Sequence, residues 1–165
     1  KALIKTAQKV GYDMEVLQAV ESVNEKQKSI LFNKLMKHFN GDIKGKTIAI
    51  WGLAFKPETD DMREAPALVL IDKIISVGAS VKVYDPIAMP ECKRRIGDKV
   101  VYCKDMYEAV VNVDTLLLVT EWKEFRMPNL EVLNKTMKNK VIIDGRNIYD
   151  AKEMVESGFD YYKIG

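Results

Sequence analysis

The sequence predicts an α/β chain: a parallel, doubly wound sheet preceded by a long helical segment. Three observations predict it. From Ile43 onward, short apolar β-rich runs alternate with helical segments, the pattern of strands joined by right-handed crossovers. Two of those runs, Thr115–Val119 and Val141–Ile143, are apolar on consecutive positions, as strands covered on both faces are. Residues 1–41 instead carry their apolar side chains at helical spacing.

Lys1–Val10 places Leu3, Ile4, Ala7 and Val10 on one helical face before Gly11 interrupts. A longer helix is predicted from Asp13, a plausible N-cap, through Leu17, Val20, Val23, Ile30, Leu31 and Leu35 to His38. At about 1.5 Å per residue it spans about 35–40 Å, and Asn40–Gly41 ends it. A helix that long outreaches a small domain and is expected to pack against another domain or a second copy. The chain therefore divides into a central or dimerisation helical segment, 1–41, and a sheet domain, 42–165. In the second part strands are predicted at Thr47–Trp51, Ser80–Tyr84, Val100–Tyr102, Thr115–Val119, Val141–Ile143 and Tyr161–Ile164. Helices are predicted at Pro66–Val77, Glu91–Ile96, Met106–Val111, Leu130–Met137 and Ala151–Glu156. Ligands of such sheets sit outside the carboxyl ends of the strands. Gly52–Arg63, Asp85–Pro86, Thr120–Trp122 and Asp144–Asn147 all fall on that edge.

The composition narrows the function classes. At 165 residues there is room for one domain plus an extra element. The 47% apolar and 30% charged content is that of a soluble globular protein. The 26 basic and 24 acidic residues are interspersed and leave a formal charge of +2, which argues against nucleic acid as a partner. No apolar run approaches the roughly 20 residues of a membrane span, so no membrane partner is expected. No secretory signal opens the sequence. Cys92 and Cys103 make neither a disulfide framework nor a metal-ligand spacing, and reduced thiols in a cytoplasm are the simplest reading. Neither has a neighbouring base in sequence, so both read as structural. No metal ligand set and no catalytic constellation is expected in this chain. It begins at Lys1 without a Met, and a fragment of a longer protein is the expectation.

The most informative stretch is Thr47–Pro66, TIAIWGLAFKPETDDMREAP. An apolar strand stops at Gly52, a loop carries Lys56 and Arg63 past Asp60 and Asp61, and Pro66 opens an apolar helix. Loop amides and a helix start favour an anion, so a phosphate-bearing ligand is expected. The loop is not a dinucleotide fingerprint, which needs three glycines; only Gly52 is present. Nor is it a phosphate loop with the G-x-x-x-x-G-K pattern. The fold is thus Rossmann-like with its usual backbone pyrophosphate site absent. Asp85 stands where a ribose-binding acid would sit, but Pro86 follows it and the glycines are missing, so it reads as a turn-forming Asp-Pro rather than a ribose ligand. Lys56 and Arg63 are either ligand contacts or loop cations paired with Glu58, Asp60 or Asp61. Arg146, just after Asp144–Gly145, adds a third cation on the same edge. Phe55 is a core aromatic or a platform for a flat base. Trp122 reads as packing, and His38, the only histidine, as a cation at a helix C-terminus.

Together these residues resemble the C-terminal part of the UDP-glucose/GDP-mannose dehydrogenase family over the whole chain. GLAFKPETDDMREAP matches the family's G-x-x-[FY]-K-x-x-x-x-D-x-R-x-[SA]-P loop. VKVYDP, LLLVTEWKEFR and VIIDGRN match its later blocks in the same order. The resemblance implies an enzyme that oxidises the primary alcohol of a nucleotide sugar twice, with two NAD⁺, through a cysteine thiohemiacetal. It implies that the catalytic cysteine and the NAD-binding N-terminal domain precede the segment represented here. It assigns Phe55, Lys56 and Arg146 to a UDP-sugar substrate and Arg63 to the NAD held mainly by that other domain. It makes the long helix the link between domains and part of a homodimer. Ala65 departs from the Ser of many members and removes a possible helix cap, worth about 1 kcal/mol. Two rival readings are a non-catalytic Rossmann-like regulatory module and, more distantly, a phospho-receiver domain.

Overall fold

The computed structural model describes residues 15–165; the helix expected at Lys1–Val10 and the N-cap expected at Asp13 lie outside the described residues. Helices α1 (Glu15–Gln27) and α2 (Ile30–His38) lead into β1 (Thr47–Trp51), α3 (Pro66–Ser76), β2 (Ser80–Tyr84), α4 (Met89–Ile96) and β3 (Val101–Tyr102). The second half runs α5 (Met106–Val110), β4 (Thr115–Leu118), a 3₁₀ turn at Lys123–Phe125, α6 (Leu130–Thr136), β5 (Val141–Asp144), α7 (Ala151–Glu156) and β6 (Asp160–Lys163). The strands form one six-stranded sheet in the order β3-β2-β1-β4-β5-β6, and every pairing is parallel. The chain moves outward from β1 to β3, then returns to β4 on the other side of β1. That reversal is a topological switch point, and it rules out the 2-1-3-4-5 order of a receiver domain.

The consecutive apolar positions in the central strands serve two separate cores. On one face Ile48, Ile50, Val81, Val83, Leu117, Val141 and Ile143 pack with Leu35 of α2, Leu70 and Ile74 of α3, and Cys92 of α4. On the other, Ala49, Trp51, Leu116, Leu118 and Ile142 pack with Ala109 of α5, Leu133 of α6 and Met154 of α7. Successive strand side chains point to opposite faces, so a strand sandwiched between helices must be apolar at every position. Helices α3 and α4 serve the β1–β3 half of the first face, whereas α2 meets β5 and lays Leu31 and Leu35 against the same core.

The predicted helix through to His38 is interrupted at Lys28–Ser29. The break lies where the chain is tied to α3. Lys73 Nζ donates to Ser29 Oγ at 2.6 Å and stands over the Phe32 ring, and Lys28 pairs with Glu64 at 3.0 Å. His38 does more than face a helix end, since its Nδ1 lies 2.8 Å from the Tyr162 hydroxyl and fixes α2 to β6. The 3₁₀ turn was not predicted; too few residues take part to leave a period in the sequence. Helix α4 starts at Met89 rather than Glu91, with Pro90 in its first turn, where a missing N–H costs nothing. Cys92 and Cys103 are buried free thiols whose burial raises their pKa, as inert structural cysteines require.

Gly52 marks the point where the two halves of the sheet touch. Its φ is +88°, and a Cβ there would stand 2.5 Å from Thr120 Cβ and 2.6 Å from Thr120 N. Gly41 has φ +86° but nothing within 4 Å. Gly52→Ala is therefore expected to lower stability by about 3 kcal/mol, from left-handed strain plus overpacking. Gly41→Ala should cost about 1 kcal/mol. Denaturant titration of the two variants checks the difference; equal losses would remove the close approach as the reason for Gly52.

Candidate functional site

The edge formed by the carboxyl ends of β1, β4 and β5 is organised by two buried aspartates, each closing a strand. Asp85, at the end of β2, is fully buried. Its Oδ2 accepts the backbone N–H of Leu53 at 2.7 Å and of Ala54 at 3.2 Å, and the Trp122 indole N–H at 3.1 Å. Its Oδ1 accepts from Ile87 N at 2.9 Å and Ala88 N at 2.7 Å. One carboxylate therefore joins the loops after β1, β2 and β4. Five donors leave it no capacity for a ribose, so the turn-forming reading holds in a stronger form. Trp122 is 8% exposed, packed as its position predicted, and it is also a structural donor, which its position did not predict.

Asp144 repeats the device at the end of β5. It accepts from Arg146 N at 2.8 Å, Ile148 N at 2.8 Å, Tyr149 N at 3.2 Å and the Tyr161 hydroxyl at 2.8 Å. Burial, first, and the Asp144 charge, second, raise the Tyr149 pKa; burial and the bond to Asp144 raise that of Tyr161, so both phenols stay neutral. Gly145 fits because its backbone runs against β4: a Cβ would come 2.6 Å from Leu118 O and 2.9 Å from Leu31 Cδ1. Asn147 takes a left-handed conformation, φ 55°, and its amide exchanges two hydrogen bonds with the Ile164 backbone. The Arg146 backbone is thereby set on both sides.

The loop after β1 turns its apolar residues inward. Leu53, Ala54, Met62 and Ala65 are buried, and Thr120 Oγ1 donates to Ala54 O at 2.6 Å. Phe55 N donates to Asp61 O at 2.8 Å and closes the loop on itself. Glu58 and Glu64 hold φ of 64° and 58°, conformations costing roughly 1 kcal/mol each that persist because the anchors around them over-determine the path. Ala65 caps α3 without a side-chain bond, as the departure from Ser implied.

The predicted site residues fall on this edge in different states. Phe55 is not a core aromatic; it is 53% exposed beyond the buried Ala54. Lys56 is exposed, and among the described residues it makes no hydrogen bond or ion pair. Arg63 is held by Asp61 through two bonds, Nε to Oδ1 at 3.0 Å and Nη2 to Oδ2 at 2.9 Å. Its side chain is nevertheless 80% exposed. Arg146 donates its Nε to Glu121 Oε2. The loop after β4 also reaches the loop after β1, with Lys123 Nζ 3.6 Å from Glu58. The structure thus brings the loops bearing Phe55, Lys56 and Arg146 to the switch point, whereas Arg63 lies farther along, toward α3. Sequence reading placed Glu121 on the edge but gave it no task; its signal was a lone acid between buried Thr120 and Trp122. Among the described residues no cluster of His, Cys, Asp or Glu could hold a metal, and no helix is long and apolar enough to cross a membrane.

The edge does not fit a dinucleotide as a resident cofactor. The acid at the end of β2 is consumed, the glycine cradle is absent, and Leu53 and Ala54 spend their amides on Asp85. Anions must be met here by side chains.

Comparison with known proteins gives a consistent result. Residues 49–151 match the UDP-glucose/GDP-mannose dehydrogenase family, UDP binding domain. The whole chain is 43% identical to a UDP-glucose 6-dehydrogenase of Pseudomonas aeruginosa, of which it covers 38%. It is 42% identical over 99% of its length to the UDP-glucose 6-dehydrogenase TuaD of Bacillus subtilis, covering 35% of that protein. Among solved structures it is similar to a UDP-glucose dehydrogenase from Pyrobaculum islandicum, with TM-score 0.84 and 29% identity over 99% of this chain and 35% of that one. The chain thus spans little more than a third of the length of these three relatives.

Two outcomes follow from the geometry. Asp85→Asn turns an acceptor into a donor that meets N–H groups and should lower stability by about 3 kcal/mol with a changed Trp122 emission; an unchanged melting curve would contradict the five-bond arrangement. Asp61 has a pKa lowered from 3.8 to about 2, chiefly by its side-chain bond to Arg63. Because the folded value is depressed, the pair is intact above pH 4 and is lost as pH falls through about 2. Carboxyl carbon NMR should place the midpoint there; a midpoint near 4 would show that Arg63 is not held.

Proposed function

The chain belongs to the UDP-glucose/GDP-mannose dehydrogenase family, and we propose that it is the nucleotide-sugar-binding part of an NAD-dependent UDP-glucose 6-dehydrogenase. The full-length protein would convert UDP-glucose and two NAD⁺ to UDP-glucuronate in the cytoplasm, in the service of polysaccharide biosynthesis. The observation that carries this reading is the match to the UDP-binding domain across the loops that form the switch-point edge. The alternative of a regulatory module draws no support from the three relatives described above, each named as a dehydrogenase.

In this reading residues 42–165 bind the nucleotide sugar. Lys56 is a point charge for the pyrophosphate, and its lack of a partner among the described residues supports that role. Exposed Phe55 offers a flat apolar face beside it. Arg146 contributes a second cation from the loop after β5. Arg63 reaches NAD held mainly by an N-terminal domain that also brings the catalytic cysteine; its exposure, despite the Asp61 pair, supports a contact outside this sheet. Residues 1–41 are the segment that would link the domains, and α1 and α2 are its described helices. Val16, Val20 and Val23 of α1 are at least half exposed at helical spacing, which supports a homodimer packed through that face.

Calorimetry with UDP tests the binding role. Weak binding is expected, and Lys56→Ala should weaken it by about tenfold, the value of one charge-assisted bond. No heat at millimolar UDP would count against the site. The isolated chain should form no NADH from UDP-glucose and NAD⁺; NADH formation would overturn the assignment of catalysis to the rest of the protein.

A further inference from the structure

Arg146 and Arg63 are both paired with carboxylates, but the pairs differ in what they leave open. An arginine has five N–H donors in a planar fork. Asp61 grips Arg63 by Nε and one Nη, so one carboxylate occupies a whole side of its fork. Glu121 touches Arg146 through Nε, and among the described residues the Nη1 and Nη2 groups of Arg146 have no partner. The Arg146 backbone is already fixed by Asp144 and by the Gly145 passage against Leu118. Glu121 itself is set between Thr120, bonded to Ala54, and Trp122, bonded to Asp85. Both anchors of the guanidinium therefore stand on rigid, buried supports, while its Nη N–H groups are left without a partner among the described residues. The side chain of Arg146 is 35% exposed and that of Glu121 is 28% exposed, so the pair sits at the rim and not in the core.

We propose that Glu121 is a positioning residue that holds the Arg146 guanidinium by its Nε so that the two Nη groups present a ready fork to a phosphate of the ligand. The inference rests on the reading above that Arg146 meets the nucleotide sugar. A planar fork suits two phosphate oxygens at once, which Lys56 cannot do. Without Glu121 the long side chain samples its rotamers, and binding loses the orienting step. Glu121 makes no ligand contact in this account; it acts only through Arg146.

The test uses the 165-residue chain, UDP as probe, and five variants. Arg146→Ala is expected to weaken UDP binding about tenfold. Glu121→Ala should weaken it about fivefold with an unchanged melting temperature, and the double variant should bind no worse than Arg146→Ala alone. Glu121→Gln keeps the acceptor oxygen and should bind within about twofold of the parent. Arg146→Lys, which keeps charge but not the held Nε–H, should resemble Glu121→Ala. Independently of any ligand, the Arg146 Nε–H should give a resolved NMR resonance in the parent and in Glu121→Gln, and lose it to solvent exchange in Glu121→Ala. If Arg146→Ala leaves UDP binding intact, the substrate reading of Arg146 fails. If Arg146→Ala weakens binding but Glu121→Ala does not, or if the resonance survives in Glu121→Ala, the positioning role is overturned while the substrate reading stands.

Discussion

The carboxylate of Asp85 is the constraint on which the site depends. It is buried, makes no ion pair among the described residues, and is held by four backbone N–H groups and one indole. A buried charge survives on such terms only if every lone pair is met, and partial satisfaction would cost several kcal/mol. The five bonds come from loops after three different strands. Folding the sheet therefore sets the edge: once β1, β2 and β4 are in register, the loops that carry Phe55, Lys56 and Glu121 are drawn to one carboxylate. The same bonds close the edge to a dinucleotide, because the amides and the acid that would receive one are already used. A Rossmann-like sheet has in this way been turned from backbone recognition of a pyrophosphate toward recognition by side chains.

Much of the fold could be read in advance because it rests on local and periodic signals. β1 and β2 have the predicted bounds: β1 is a nearly unbroken apolar run ended by Gly52, and β2 alternates its buried valines with polar positions and is ended by Asp85–Pro86. The break in the N-terminal helix was not readable: its apolar period continues through Lys28–Ser29, and the cause is Lys73, far along the chain. The three-residue turn after β4 is held by tertiary packing of Phe125 against Trp51 and Tyr84. Such causes have no period.

The site was legible in its residue types and less so in their partners. Sequence alone placed the cations on the carboxyl edge and left open whether each was a ligand contact or an internal ion pair. The structure separates them. Lys56 has no partner among the described residues, Arg63 has a bidentate one, and Arg146 has one that leaves its fork free. Asp85 was the least readable residue. An acid closing the second strand of such a sheet has two opposed meanings, and only the positions of five donors decide between them.

The central claim is that the edge at the ends of β1, β4 and β5 receives a nucleoside diphosphate. Amide NMR of the chain during a UDP titration measures it most directly. The largest shifts are expected within residues 53–64, 120–122 and 145–147, with the amides held by Asp85 keeping their slow solvent exchange. Shifts concentrated at the opposite edge, around Asp114 and Asn139, or loss of exchange protection at Leu53 and Ala54 on binding, would contradict it.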